Sequence, residues 1–344
     1  MSKLRVGIVG SGFGGAVHAP AYALHPRFDV VAIASPNNAE RVARDRKIPH
    51  AFETVEAMLA GAELDVVSVA SPPFDHRRSV LSALAAGKHV LCEKPMALTA
   101  GEAEEMAAAC ERAGTVGALA FEFRYVPAVI AIRELIENRH LGALRELEVA
   151  RLSRELLERN TARGPSWWFS RAKGGGVANS VMPHFFDLAT HLAGRAPRAT
   201  TGMMRTANPR RAGPDGIPFE STVADGVFAF VDFGDGLVAR CSDDATTVVD
   251  STTVAVHGET RSAVANGTFF GDLAVFAIDE EEQDELGIAP SPYAKHAVVH
   301  GNLPFFLPLL DAFAERIDLG TPGVPTFADG LQVQRQLEAV GYGR

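Results

Sequence analysis

Over the first 120 residues, continuous apolar runs alternate with segments of helical spacing. Leu4–Val9 is apolar with little alternation, as a strand covered on both faces of a parallel sheet requires. Asp29–Ala34, Leu64–Ala70, Val90–Cys92 and Val116–Ala120 read the same way. Between them lie the helical stretches Ala16–Leu24, Ala39–Arg46, Val55–Leu59, His76–Ala86 and Ala100–Ala113. Gly87 stops the fourth. Thr99 caps the fifth, with Glu102 in its first turn. Strands alternating with helices predict an α/β fold with an N-terminal, doubly wound parallel sheet over residues 1–122.

The pattern changes after residue 122, and a second domain is expected over 123–344. Ala128–Asn138 has apolar residues at helical spacing. Leu144–Leu152 alternates and begins a second sheet. Val223–Phe233 and Leu237–Cys241 predict a hairpin around Gly234-Asp235-Gly236. On its first strand Phe228 and Phe230 face one way, while Val227, Ala229 and Val231 face the other. Two apolar faces need two covers. Helices supply one, and a partner subunit is the natural second, so a homo-oligomer (dimer or tetramer) through this sheet is expected. The alternative cover is a loop read over 262–292. Residues 205–222 read as a Pro/Gly-rich loop, Thr252–His257 as a strand, and Asp279–Glu285 as a solvated acidic turn. Pro304–Ile317 is a helix. Thr326 caps a last helix running to about Val340, expected to pack back near the domain junction.

Composition narrows the function classes. The 344 residues are 47% hydrophobic and 22% charged, ample for a core, with a net charge of −9. The one basic knot, Arg205 with Arg210 and Arg211, lies in the Pro/Gly loop, which argues against a nucleic-acid or anionic membrane partner. The three cysteines, Cys92, Cys110 and Cys241, form no C-x-x-C pair, as expected in a reducing compartment. Met1–Val9 runs straight into the first strand, and no run approaches a membrane span. The expectation is a cytoplasmic protein.

The candidate chemistry gathers where predicted strands end. Gly10-Ser11-Gly12-Phe13-Gly14-Gly15 has the G-x-G-x-x-G spacing between a strand and a helix. Its glycines permit a tight turn, close approach of a pyrophosphate, and close helix–strand packing. Ser35 ends the second strand, where an Asp or Glu would repel a 2′-phosphate; its hydroxyl tilts the expected cofactor toward NADP over NAD. Ser71-Pro72 ends the third strand and Glu93-Lys94-Pro95 the fourth. Four segments converging on one sheet edge mark a ligand site. The peptide before Pro95 is a candidate for the cis form. His18 reads either as a ligand contact or as a structural histidine. Ser153–Lys173, with Trp167-Trp168-Phe169, is long for a connection; Trp168 reads as part of a substrate pocket or as packing between elements. Gly174-Gly175-Gly176 opens a helix expected over Val177–Leu192. His184, Asp187 and His191 share one face of it, without the context of a metal site. Asp187 is expected to orient a histidine or to make a helix-end contact.

The run Ala85–Pro95 around Cys92-Glu93-Lys94-Pro95 resembles the Gfo/Idh/MocA oxidoreductases (glucose–fructose oxidoreductase or inositol dehydrogenase-like). Gly10–Gly15 with His18 and Pro20, Val69-Ala70-Ser71-Pro72 with His76, and Phe123-Arg124-Tyr125 with Pro127 fit the same family. So do Gly174–Gly176 with His184 and Asp187, and Pro325-Thr326 with Asp329-Gly330-Leu331. The resemblance implies a Rossmann domain followed by an α/β domain on an open, mostly antiparallel sheet. It implies bound NAD or NADP and hydride exchange with a sugar, polyol or related hydroxyl or ketone. Cofactor contacts would come from Gly10, Gly12, Phe13, Gly14, Gly15, Ser35, Ser71, Pro72, His76, Glu93, Lys94 and Arg124. Lys94 matches the family lysine that polarises the reacting oxygen, and His184 the histidine that moves its proton. Lys94, Trp168, Ser180 and His184 would meet substrate.

Two positions depart from the family pattern, one of them Met182, which stands where a glycine usually precedes the histidine by two. Many of its dehydrogenases carry an aspartate four residues before the histidine, where this chain has Ser180. A serine hydrogen-bonds a substrate but holds no charge that raises the basicity of His184. Two further readings therefore stand beside the oxidoreductase: a cofactor-binding sensor without turnover, and a redox-neutral, NAD-dependent glycosidase. Tyr125 and Tyr293 are spare candidates.

Overall fold

The apolar runs of the first unit form a parallel sheet in a computed structural model that describes residues 2–157, 164–268, 274–279 and 283–342. This unit comprises Met1–Glu122 and Ser291–Leu331. Its strands are β1 (Leu4–Val9), β2 (Phe28–Ala34), β3 (His50–Phe52), β4 (Val66–Val69), β5 (His89–Cys92) and β6 (Gly117–Leu119). Among the described residues the order is β3-β2-β1-β4-β5-β6, every pair parallel. The order reverses between β1 and β4, the place where such sheets open a crevice at their carboxyl edge. The central strands are buried on both faces: Val6, Ile8, Val66, Val67, Val90 and Leu91 expose nothing. β3 was not expected. It is a three-residue edge strand led by exposed His50, too short and polar to signal itself.

The connecting helices are α1 (Ala19–Leu24), α2 (Ala39–Arg46), α3 (Val55–Gly61), α4 (Pro73–Ala85) and α5 (Ala100–Ala113). α1 departs from a plain helix. A π-turn, Gly14–His18, leads into it, and the Ala19 amide reaches back to the Gly14 carbonyl. Pro20 has no N–H for the usual ladder, and the wide turn absorbs the loss.

The second unit comprises Phe123–Pro290 and Gln332–Arg344. Its helices are α6 (Pro127–Glu137), α7 (Val177–Ser180) and α8 (Met182–Ala193). Its strands are β7 (Leu144–Leu152), which lies between α6 and α7, and, after α8, β8 (Ala199–Arg205), β9 (Arg210–Ala212), β10 (Pro218–Glu220), β11 (Gly226–Gly234), β12 (Leu237–Asp244), β13 (Ser251–Gly258), β14 (Ser262–Gly267), β15 (Ala274–Ile278) and β16 (Gln283–Leu286). Among the described residues, eight of them form one sheet ordered β16-β15-β14-β13-β7-β12-β11-β8. Only the β7–β12 pair is parallel. α8 lies against β7 and β12 with Phe185, Leu188 and Leu192 fully buried. On β11, Val227, Ala229 and Val231 are buried, whereas Phe230 is 58% exposed and Met203 on neighbouring β8 is 59% exposed.

Three sequence expectations are corrected here. The 262–292 segment is not a plain loop: it holds β14, β15 and β16, their side-chain alternation weakened by Gly and acidic residues. The acidic run is part strand, since β16 begins at Gln283; residues 280–282 lie outside the described residues. The 205–222 loop contains the β9–β10 hairpin. Its basic knot is neutralised internally: buried Arg211 lies 3.6 Å from the buried Asp225 carboxylate. That carboxylate also accepts the Ala207 amide at 2.8 Å and the Asn208 amide at 2.9 Å.

The remaining helices close the chain. α9 (Leu303–Leu319) belongs to the first unit, and α10 (Phe327–Ala339) gives its first residues to the first unit and the rest to the second. The Thr326 hydroxyl accepts from the Asp329 amide, the cap expected for α10. No helix among the described residues is long and apolar enough to cross a membrane. Cys92, Cys110 and Cys241 are buried free thiols.

Candidate functional site

The glycine loop leaves β1 through Gly10, whose φ of +104° suits only glycine; a Cβ there would stand 2.4 Å from the Ala70 carbonyl oxygen. Gly14 and Gly15 are packing glycines, with Ile8 and Val42 methyls 2.9 Å from their missing Cβ atoms. Gly12 differs. It is exposed, and a Cβ on it would meet nothing within 4 Å. Its face is open, as the backbone must be where a pyrophosphate approaches.

Other strand ends supply the rest of the cradle. The Ser35 hydroxyl at the end of β2 lies 2.9 Å from that of Ser11. Ser71, beyond β4, has a buried Oγ with no hydrogen-bond partner. Pro72 caps α4. An open glycine, an orphaned hydroxyl and paired serines at one sheet edge fit a dinucleotide. His76 does not present a nitrogen to it: Nε2 meets the Ser71 carbonyl at 2.7 Å and Nδ1 the Pro95 carbonyl at 3.0 Å. Burial pushes its pKa down, against the help of those two carbonyls. His76 thus ties two loops together from behind.

The Lys94–Pro95 peptide is cis. Lys94 Nζ lies 3.8 Å from Glu93 Oε2, with both side chains mostly buried. Glu93 Oε1 accepts from His18 Nε2 at 3.1 Å, and His18 Nδ1 lies 2.7 Å from the Ser68 hydroxyl. Burial works against the charge on Glu93. The His18 hydrogen bond and the nearby charge of Lys94 prevail and hold its carboxyl below the ordinary range. Glu122, 1% exposed, goes the other way. Burial first, then the charge of Glu93, push its carboxyl up to about 8, against the opposing pull of Lys94 and a hydrogen bond with Asn302. Two carboxyls near one ammonium are thus driven to opposite protonation states. Sequence reasoning missed Glu122; its only signal was a lone acid inside the apolar stretch 118–123.

In the second unit the expected single helix over 177–192 is broken. α7 ends at Ser180, Val181 turns out of helical geometry, and α8 restarts with Pro183 in its first turn. Proline is tolerated only at such a start, so Ser180 and His184 belong to different helices. His184 is 2% exposed and its ring stacks on Phe123. Asp187 takes the Arg124 guanidinium side-on, Nε to Oδ2 at 2.8 Å and Nη2 to Oδ1 at 2.5 Å. Trp168 is buried edge-on to Phe169, ring centroids 5.0 Å apart. Residues 158–163 of the segment that carries it lie outside the described residues. In the first unit, the Tyr293 hydroxyl donates to Asp311 at 3.0 Å. No group of three or more metal-ligating side chains occurs among the described residues.

Residues 4–121 match a family described as "Oxidoreductase family, NAD-binding Rossmann fold", and residues 129–264 match the "GFO/IDH/MocA C-terminal domain". Levoglucosan dehydrogenase of Pseudarthrobacter phenanthrenivorans is 27% identical over 97% of this chain and 94% of its own length. An uncharacterised oxidoreductase of Synechocystis sp. is 36% identical over 56% of this chain and 52% of its own, so that match spans about half of the relative. A solved structure of levoglucosan dehydrogenase with NADH and L-sorbose superposes with a TM-score of 0.88 at 25% identity, covering 99% of this chain and 96% of that one.

Proposed function

The chain belongs to the Gfo/Idh/MocA oxidoreductases, and from that premise we propose that it exchanges a hydride with a hydroxyl or ketone of a sugar or polyol. The nicotinamide supplies the hydride chemistry when bound. The carrying observation is the open Gly12 face together with the Ser71 hydroxyl and Lys94, placed beyond the adjacent strands β1, β4 and β5. The names of the relatives support the substrate class.

In this reading the Lys94 ammonium donates to the substrate oxygen, stabilising negative charge there as carbon oxidation changes. His184 takes the hydroxyl proton in oxidation and returns it in reduction. Ser180 contacts substrate without contributing charge. Trp168 and Arg124 shape the pocket wall, Arg124 through its grip on Asp187. Because β2 ends in Ser35 rather than an acid, NADPH is accepted alongside NADH. The sheet face bearing Met203, Phe228 and Phe230 joins a second copy of the chain.

The test is nicotinamide absorbance on a stoichiometric mixture of protein with NAD+ or NADP+, challenged with sugars and inositols, and of protein with NADH or NADPH, challenged with keto-sugars. Turnover is expected with one substrate class. Lys94→Ala is expected to reduce it by on the order of a thousandfold while cofactor binding, followed by fluorescence, persists. Retained turnover removes Lys94 from this role. Bound cofactor with no redox change across the panel favours the sensor, which Ser180 in place of aspartate motivates, and product release without net cofactor consumption favours the glycosidase.

A further inference from the structure

We propose that His18 is a positioning residue for Lys94: it grips the Glu93 carboxylate, and that carboxylate holds the Lys94 ammonium in place as a charged donor. The inference rests on reading Lys94 as the group that meets the substrate oxygen. The contacts form a chain from β4, through the π-turn that ends at His18, to the loop after β5. Ser68 on β4 meets His18 Nδ1 at 2.7 Å, His18 Nε2 meets Glu93 at 3.1 Å, and Glu93 meets Lys94 at 3.8 Å. An ionised Glu93 can only accept, so Nε2 is the donor. Nδ1 faces the Ser68 hydroxyl on the other side of the ring. Both ring nitrogens are used, and the direction of the Nε2 bond is set by the carboxylate at the end.

His18 exposes none of its surface, and Glu93 only 6%. A purely structural tie at such a place is cheaper when apolar, because a buried charge carries a desolvation cost that good geometry only offsets. The arrangement nonetheless keeps an anion under the sheet edge, directly behind the lysine. The imidazole itself is locked by aromatic neighbours. Phe306 lies 4.7 Å from its centroid, and Phe13 meets it edge-on at 5.7 Å. Phe13 is part of the glycine loop, so one imidazole ties that loop to the loop carrying Lys94.

The test needs no substrate. Cyanate carbamylates only neutral amines, so at fixed pH 7.5 its rate at Lys94, located by peptide mass mapping, reports how firmly the charged form is held. The other lysines of the same chain are internal standards. His18→Ala and Glu93→Gln are expected to raise the Lys94 rate about tenfold, the change that follows when a nearby opposite charge is weakened. His18→Gln, which keeps an amide donor, should return it toward the parent rate. An unchanged Lys94 rate in either His18→Ala or Glu93→Gln overturns the proposal. A rise shared by every lysine in His18→Ala reports a loosened fold, and the isosteric Glu93→Gln then decides. Should Lys94→Ala keep turnover while cyanate behaves as expected, the reading of Lys94 fails and the electrostatic grip stands. Should Lys94→Ala be inactive while the rates stay flat, the grip alone fails.

Discussion

The His184 ring lies nearly face to face with Phe123, centroids 3.9 Å apart and 19° from parallel. The next residue, Arg124, is bonded twice to Asp187, three positions beyond His184 on α8. Ring stack and ion pair therefore hold one helix face from one short segment. Phe123→Leu keeps apolar volume but loses the stack, a contact worth about 1 kcal/mol beyond its area. It should lower kcat by about tenfold and leave cofactor affinity unchanged. Phe123→Tyr should be close to the parent. Steady-state kinetics beside a cofactor titration check this, and a fall in cofactor affinity of the same size contradicts it.

The two leading glycines of the loop should fail differently. Gly10→Ala forces a Cβ against the Ala70 carbonyl at a positive φ and is expected to cost about 2 kcal/mol or more in unfolding free energy. Gly12→Val points into open space and should change stability by less than about 0.5 kcal/mol, yet weaken NADH binding at least roughly tenfold by filling the cradle. Denaturant melts and NADH fluorescence separate the two. Unimpaired NADH binding by Gly12→Val places the pyrophosphate elsewhere.

Glu122 makes stability depend on pH in an unusual direction. Its carboxyl is raised from 4.5 to about 8, by burial first and by the charge of Glu93 second. The folded state therefore holds a proton that the unfolded chain releases. The stabilisation is complete below pH 4.5 and is lost as pH rises through about 8. Glu122→Gln cannot ionise. Its melting temperature relative to the parent should climb between pH 5 and 9, by on the order of 5 °C. Melting curves across that range, without nicotinamide, provide the check; two curves that run parallel contradict it.

Phe230, paired with Thr201 on β8 and Arg240 on β12, stands on the uncovered sheet face with Met203 nearby. If a second copy covers that face, Phe230→Asp places a charge in an apolar contact. Sedimentation should then show the parent as an oligomer and the variant shifted to monomer at the same concentration. Parent protein that sediments as a monomer removes this role for the face.

The Rossmann half was legible because its signals are local. A continuous apolar strand, a glycine turn and a capped helix such as Ala100–Ala113 each lie within one stretch of sequence. Strands whose pairing partners determine them were not legible. β9, β10 and β16 are short, polar or rich in charge, and read as loops until their neighbours are in place. Pro183 did announce the restart of α8, but the glycine run before it invited one continuous helix. Lys94 and His184 were found by resemblance. His18 was singled out without a partner, and Glu122 and the Arg211–Asp225 pair were missed, because burial gives them their chemistry and burial is set by distant chain.

The return of Ser291–Leu331 to the first unit has a consequence for how the protein is made. The Leu119 amide bonds to the Pro325 carbonyl at 2.9 Å, Ala118 bridges Thr326, and Phe313 stacks on Phe28 at 6.2 Å. Arg27 closes on Asp318 at 2.7 Å. On the ribosome, residues 1–122 of the nucleotide-binding unit therefore emerge before the segment that completes it. Its outermost strand and its Phe28 face stay uncovered until residues 291–331 have been synthesised. Ser291–Leu331 acts as the closing staple of a sheet made before it, and translation that stops ahead of this segment leaves that sheet open.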